Sequence, residues 1–335
     1  MQNNLINWYK ENHRDFPWRK TKDPYAIWIS EIMLQQTTTE AVIPYYTRFI
    51  EKFPTVKNLA DANEEEVYKY WEGLGYYRRA KHLHLSAQII VEKYHGLFPT
   101  HYQDVLALKG VGLYTAGAIC SIAYGMQIPA VDGNVLRIIA RQYAIQDNIA
   151  LSKTQKDIYQ IVEKLIHNHD ASSFNQGLMD LGATICRPKN PLCHQCPILS
   201  TCKAYKHHEE MILPINIKNI KHKDMHFITG IITYKNQFLL IQNPSGLLEN
   251  LYGFIQYDCE SPFRFIEEFE KEYHASLTII SHIGDIKHVF THRTWYMHVY
   301  HFILDKPIES LYTLQQIQEK PLSTAHLKVL KVYLK

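Results

Sequence analysis

The chain has 335 residues, 46% of them hydrophobic and 21% charged, with a formal net charge of +3. This excludes bulk disorder, admits two domains, and leaves any polyanionic partner to be argued from local patches rather than total charge. No window approaches a membrane span and the N-terminus lacks a signal-type apolar core, so a cytoplasmic protein is expected.

Asp23-Pro24 predicts a helix start, an N-cap aspartate with proline in the first turn, continued by YAIWISEIMLQQT. On it, Glu31 has Ile27 and Trp28 one turn before and Leu34 and Gln35 one turn after. A carboxyl among such neighbours is partly desolvated, which raises its pKa and suits it to hold a proton near neutrality. The alternative is a solvated glutamate on an amphipathic helix. Helical patterning runs on from Pro44 to Phe98, with Asp61 and Asn63 as caps ahead of EEEVYKYWEGLG. The break GLGYYRRAKHLH sets Tyr76 and Tyr77 beside Arg78, Arg79 and Lys81. Flat rings next to positive charge can wedge into a base stack while holding phosphates. A buried tyrosine pair followed by a solvated basic turn reads equally well. Thr100 and Gln103 are then spaced as a capping box.

The stretch from Leu108 to Arg141, LKGVGLYTAGAICSIAYGMQIPAVDGNVLRIIAR, reads as helix end, glycine hairpin, helix, loop and helix start. Gly110 and Gly112 leave backbone amides uncovered at the N-terminus of the helix beginning near Tyr114, a grip for a phosphate. Asp132 sits where an N-cap belongs, and a carboxylate there is expected to stay ionised beside free amides and the helix dipole. Taken separately, the two halves are also compatible with an αα-turn and an ordinary cap.

Cysteines 186, 193, 196 and 202 run Cys-x6-Cys-x2-Cys-x5-Cys. Zinc ribbons pair two Cys-x2-Cys knuckles, whereas this loop holds one, which favours an iron–sulfur cube over zinc. Arg187 and Lys189 lie on the loop such a cluster would brace. Cys120 and Cys259 read as small core residues. Residues 203–224 lack clean periodicity and read as a connector. Beyond them, HFITGIITY and QFLLIQN flank Lys235-Asn236 as a hairpin, LYGFIQYD is a strand, FRFIEEFEKEY is helical, and LTIISHIG and TWYMHVYHFIL are strands before a final helix.

These motifs carry a resemblance. PWR, DPYAIWISEIMLQQTT, WEGLGYYRRAKHL, LKGVGLYTAGAI, VDGNVLRI, NQGLMDLGATIC and the four-cysteine loop are similar to the helix-hairpin-helix DNA glycosylases, and among them to adenine DNA glycosylases of the MutY type. Lys109 stands where that family usually has proline. The implied fold is an all-α glycosylase domain over 1–202 with a 4Fe–4S loop at 186–202, the connector over 203–224, and an α/β Nudix-like domain over 225–335. The implied substrate is double-stranded DNA with adenine opposite 8-oxoguanine or guanine, handled by a monomer bearing one 4Fe–4S cluster. The adenine is flipped out and its N-glycosidic bond hydrolysed. Glu31 would be the acid that protonates the base and then activates water, and Asp132 the anion at the sugar C1′. The resemblance further places Tyr114 and Asn134 as supports, Trp18, Arg19, Leu34 and Gln176 in the adenine pocket, and Gln36 and Tyr76 in the base stack.

Two rivals are weighed. Endonuclease III shares the resemblance but has a lysine nucleophile where Tyr114 stands, and tyrosine cannot form the Schiff base of a glycosylase-lyase. A non-catalytic iron–sulfur DNA-binding or redox-sensing protein would need the cluster and hairpin but leaves Glu31 and Asp132 unexplained. In the Nudix-like part the signature is broken: counting from Gly253, the expected carboxylate is Cys259, the Arg-Glu pair is Glu267-Glu268, a later glutamate is Lys271 and the last glycine is His274. Without those carboxylates to gather Mg²⁺, the domain is expected to bind rather than hydrolyse. Phe290-Thr291-His292 matches the family's lesion-probing Phe-Ser-His and is expected at an outward-projecting hairpin tip. The other reading is a strand end with Phe290 in the local core.

Overall fold

The computed structural model describes residues 1–217 and 222–335; residues 218–221, part of the expected connector, lie outside the described residues. The chain divides into two compact units, 1–61 with 82–218 and 62–81 with 219–335. In chain order the helices are α1 (Gln2–Asn12), α2 (Pro24–Leu34), α3 (Thr39–Lys52), α4 (Val56–Asp61), α5 (Glu64–Trp71), α6 (Arg78–Tyr94), α7 (Tyr102–Leu106), α8 (Leu113–Tyr124), α9 (Gly133–Tyr143), α10 (Ser152–Ile166), α11 (Ala171–Thr184) and α12 (Lys203–Lys206). Helix α5 and the start of α6, read above as part of the helical domain, fall in the second unit.

The first unit is helical, as its 3.6-residue patterning requires. Its apolar core joins α1, α9, α10 and α11 through Leu5, Ile138, Ile158, Val162, Phe174 and Leu178. Helix α2 starts as expected, with the Asp23 carboxylate accepting from the Tyr25 amide at 3.1 Å. Asn63 caps α5 through the Glu66 amide at 2.7 Å. The expected capping box before the hairpin does not form: α7 begins at Tyr102, with His101 at its N-cap and no side-chain cap bond.

In the second unit the strands are β1 (Lys223–Tyr234), β2 (Gln237–Leu239), β3 (Ile241–Gln242), β4 (Tyr252–Gly253), β5 (Ile255–Tyr257), β6 (Leu277–Val289), β7 (Arg293–Leu304) and β8 (Leu311–Thr313), with helices α13 (Pro262–Tyr273), α14 (Leu314–Glu319) and α15 (Thr324–Tyr333). The main sheet runs β6-β7-β1-β2-β8, with β5 also paired to β1 and β1 parallel to β7. Alternation along β1 sorts its side chains between the two faces. Ile228 and Ile232 join Phe265 and Phe269 of α13, while Ile231 joins Ala325 and Val329 of α15. The expected β1–β2 hairpin is present, with Thr233 opposite Phe238 and Lys235 left-handed at the turn. An all-α unit followed by an α/β unit is the architecture the sequence predicts.

Candidate active site and cysteine cavity

Every residue of α2 from Tyr25 to Met33 is buried, so the glutamate among them has no solvated face to occupy. Glu31 is 5% exposed, and its Oε2 is enclosed with no hydrogen-bond partner among the described residues. Burial, reinforced by the negative charge of Asp132, raises its pKa to about 7, against opposing contributions from a Tyr114 hydrogen bond and the Arg19 charge. The apolar reading of its neighbours therefore holds.

Tyr114 lies on the first turn of α8, its phenol facing Glu31 with Met179 Sδ 3.7 Å from the hydroxyl. Burial and the carboxyl groups of Glu31 and Asp132 raise its pKa well above 10, so it is a neutral donor at physiological pH. Before it, Gly110 has φ +76°, and a Cβ there would come within 2.9 Å of His82, so both backbone and packing call for glycine. Gly112, the N-cap of α8, has φ −101° and open space where a side chain would go. Its value is an uncovered approach to the helix N-terminus rather than relief of strain.

Asp132 caps α9, its Oδ1 accepting from the Val135 amide and its Oδ2 from Asn134 Nδ2, both at 2.8 Å. Asn134 is held in turn by Arg137, whose Nη2 donates to Asn134 Oδ1 at 2.8 Å, and by Gly182 of α11, where a Cβ would approach Asn134 to 2.5 Å. The cap expected at Asp132 is present, and burial acts against it. Burial raises its pKa, and the Val135 and Asn134 hydrogen bonds and the Arg137 charge oppose that rise without reversing it.

Glu31, Tyr114, Asp132 and Asn134 line one cavity of about 410 Å³, together with Trp18, Arg19, Leu34 and Gln176. Trp18 stacks on Phe16 with ring centroids 5.0 Å apart, and Gln176 donates to Ser172 Oγ at 3.0 Å. Gln36 is not among the lining residues; it is exposed, with a left-handed φ of +61° just past α2. The sequence reading passed over Arg14, which also lines the cavity, and Asp180 behind it. Asp180, 1% exposed, receives Arg19 through bonds of 2.6 and 2.9 Å and Arg14 through bonds of 2.7 and 2.9 Å. Burial alone would raise the Asp180 pKa, but hydrogen bonds and charge from Arg19 and then Arg14 bring it below its ordinary value. Asp180 lies within NQGLMDLGATIC, yet nothing in that string names its partners.

The four clustered cysteines are free thiols and line a second cavity with Ile138, Leu181, Arg141 and Glu210. Arg141 donates to Cys186 Sγ at 3.3 Å, to the Arg187 carbonyl at 2.8 Å and to the Leu213 carbonyl at 2.8 Å, pinning the start of the loop and the segment beyond its end to α9. Burial pushes Cys196 up to about 12 and also raises Cys193 and Cys202. Among the described residues no group of three or more His, Cys, Asp or Glu side chains is placed to hold a single metal ion. Four thiols spread around one cavity suit a polynuclear group better than one ion. The remaining cysteines behave as core: Cys120 is fully buried, and Cys259 packs against the α13 core.

Residues 29–167 match the family described as HhH-GPD superfamily base excision DNA repair protein, and residues 228–332 match the NUDIX domain. The chain is 39% identical over 260 residues to the adenine DNA glycosylase of Buchnera aphidicola subsp. Schizaphis graminum, covering 76% of this chain and 74% of that one. The adenine DNA glycosylase of Buchnera aphidicola subsp. Acyrthosiphon pisum is 38% identical, with 86% and 83% covered. The chain belongs to the adenine DNA glycosylase family. Among solved structures, a thermostable thymine-DNA glycosylase superposes with a TM-score of 0.56 at 32% identity, covering 61% of this chain and 94% of that one.

In this adenine DNA glycosylase family member the second unit holds the other residues singled out in the sequence. Phe290, Thr291 and His292 form the turn between β6 and β7, closed by the Phe290 amide on the Arg293 carbonyl at 2.8 Å. Only Thr291 and His292 are exposed. Phe290 folds back, its ring edge-on to Trp295 at 4.8 Å and to His288 at 4.6 Å, so the outward-projecting tip is two residues rather than three. Tyr76 is 48% exposed with φ +51°, and its hydroxyl lies 2.8 Å from Thr291 Oγ1. The two tyrosines divide the readings offered for them: Tyr77 is buried, donating to the Leu322 carbonyl at 3.0 Å, while Tyr76 carries the Arg79 guanidinium over its ring at 5.1 Å. In the broken Nudix signature, Glu268 is engaged by Arg264 at 3.1 Å and Lys271 at 3.4 Å, and His274 is the left-handed C-cap of α13.

Proposed function

We propose that this protein is a monofunctional base-excision repair glycosylase that hydrolyses the N-glycosidic bond of adenine opposite 8-oxoguanine or guanine in duplex DNA, acting as a monomer. The observation that carries the reading is the placement of Glu31 and Asp132 on one cavity with differently supported carboxyl groups. Adenine leaves poorly until a ring nitrogen is protonated, and the departing sugar acquires oxocarbenium character. Glu31, with a pKa of about 7 and an unpartnered Oε2, holds the proton to be given. Asp132, whose two oxygens accept hydrogen bonds from Asn134 and the Val135 amide, supplies the anion that stabilises or transiently bonds C1′. Once the base has gone, the Glu31 carboxylate accepts a proton from the attacking water. Tyr114 orients Glu31 by donating to it, and Asn134 fixes Asp132. Trp18, Arg19, Leu34 and Gln176 provide the walls for the flipped base.

Gly110 and Gly112 present the α8 amides to a phosphate, Gln36 and Tyr76 enter the base stack, and Thr291 and His292 read the opposite base, with Phe290 bracing their turn. Cys186, Cys193, Cys196 and Cys202 would hold a 4Fe–4S cluster, which when bound cross-links the loop carrying Arg187 and Lys189. No described helix is long and apolar enough to cross a membrane, in keeping with action on DNA in the cytoplasm. The test is a duplex with a single adenine opposite 8-oxoguanine, incubated with the full chain and heated in alkali. Breakage at the adenine is expected; an intact strand under conditions where the duplex is bound would leave the binding-protein reading in its place.

A further inference from the structure

The cysteine cavity has an occupant the four-thiol scheme does not use. Among the described residues lining it, Glu210 is the one acid. The residue is half-buried, but its Oε2 is enclosed and has no hydrogen-bond partner among the described residues. Buried carboxylate oxygens are normally paired or bound to a metal, because desolvation without compensation costs several kcal/mol. The cation on this cavity wall, Arg141, already donates to Cys186 Sγ and to the Leu213, Arg187 and Pro188 carbonyls. Glu210 and Cys193 also share an adjoining cleft of about 250 Å³ with Tyr205 and Met211, so both stand where the cysteine cavity meets that cleft. Apart from burial, the Glu210 charge is the largest influence on the Cys193 thiol, which marks the two as neighbours.

We propose that Glu210 is a fifth metal-ligating group of the cysteine cavity, able to take the iron that Cys193 would otherwise hold. The proposal rests on the cluster assignment above. In the exchange an Fe–S bond to Cys193 breaks and an Fe–O bond to Glu210 forms. The thiolate leaves with its electron pair and takes a proton from water, one monoanionic ligand replaces another, and no oxidant or reductant is needed. A carboxylate oxygen is the harder donor and suits iron in its ferric state.

The experiment compares full-length wild type, Glu210→Gln, Cys193→Ser, Cys196→Ser and the Cys193→Ser/Glu210→Gln double variant, all prepared anaerobically, by iron and sulfide content and visible absorbance. Cys193→Ser should keep most of its iron and sulfide, the double variant should lose most of both, and Cys196→Ser should lose them with Glu210 intact. Equal content in Cys193→Ser and the double variant overturns the proposal. Iron-free wild type overturns the cluster assignment itself, a separate result. If Cys193→Ser does not fold, chelator-driven iron loss from Glu210→Gln decides the matter. It should be roughly ten-fold faster than from wild type, the scale of altered support around a metal site, and an unchanged rate overturns the proposal.

Discussion

The Tyr76 hydroxyl lies 2.8 Å from Thr291 Oγ1, joining the exposed tyrosine of the GLGYY break to the β6–β7 turn. The threonine hydroxyl is therefore engaged before any DNA arrives, on a residue that is otherwise exposed. Replacing Thr291 and His292 together with alanine should weaken the preference for adenine opposite 8-oxoguanine over adenine opposite guanine by roughly ten-fold, the scale of one good polar contact to a base. Competition binding with the two duplexes measures this. Unchanged discrimination would move lesion reading to Gln36 and Tyr76.

Glu31 must carry a proton to act, so single-turnover adenine release should fall as pH rises through about 7. Tyr114→Phe removes a hydrogen bond that lowers the Glu31 pKa, so that descending limb should move to higher pH. A pH–rate profile with an unshifted limb would separate Tyr114 from Glu31. The same ionisation affects stability. The folded-state pKa is raised from 4.5 to about 7, so the stability linked to Glu31 is full below about 4.5 and is lost as pH rises through 7. That loss amounts to about 3 kcal/mol at roughly 1.4 kcal/mol per unit. Thermal melts should show Glu31→Gln gaining on wild type between pH 5 and pH 8.

Borohydride should trap no strong covalent adduct of the wild type with its DNA product, because a tyrosine stands where a lyase needs an amine. Efficient trapping by the unaltered protein would move the reading to the glycosylase-lyase branch.

Asp180→Asn should destabilise the fold and loosen the cavity wall together, since it removes the buried charge that Arg14 and Arg19 share. Breaking a buried pair from one side costs about 3–5 kcal/mol. Denaturant unfolding tests this, and a loss well under about 1 kcal/mol would show that the two guanidinium groups find other partners.

How much of this was legible in the sequence follows from the range of each interaction. Glu31 was readable because its surroundings are one helical turn away in either direction, and Asp132 because a cap is a local relationship of three residues. The Asp180 clamp was not, since its partners lie 161 and 166 positions away. The burial that raises the Asp132 pKa against its cap was not legible either, because the cap is local and the burial comes from the surrounding fold. Thr100 and Gln103 had capping-box spacing, yet the N-cap of α7 falls one residue later, at His101. At the β6–β7 turn, spacing located the tip but not the packing of Phe290 on Trp295.

The most direct test of the account is single-turnover adenine release by wild type, Glu31→Gln and Asp132→Asn on the adenine·8-oxoguanine duplex, with binding measured in parallel. Each substitution removes an acid or a charge with little change in shape. The account predicts that release falls by about 10²–10⁴-fold or more in each variant, while duplex affinity stays close to that of the wild type. Near wild-type release by either variant would contradict it.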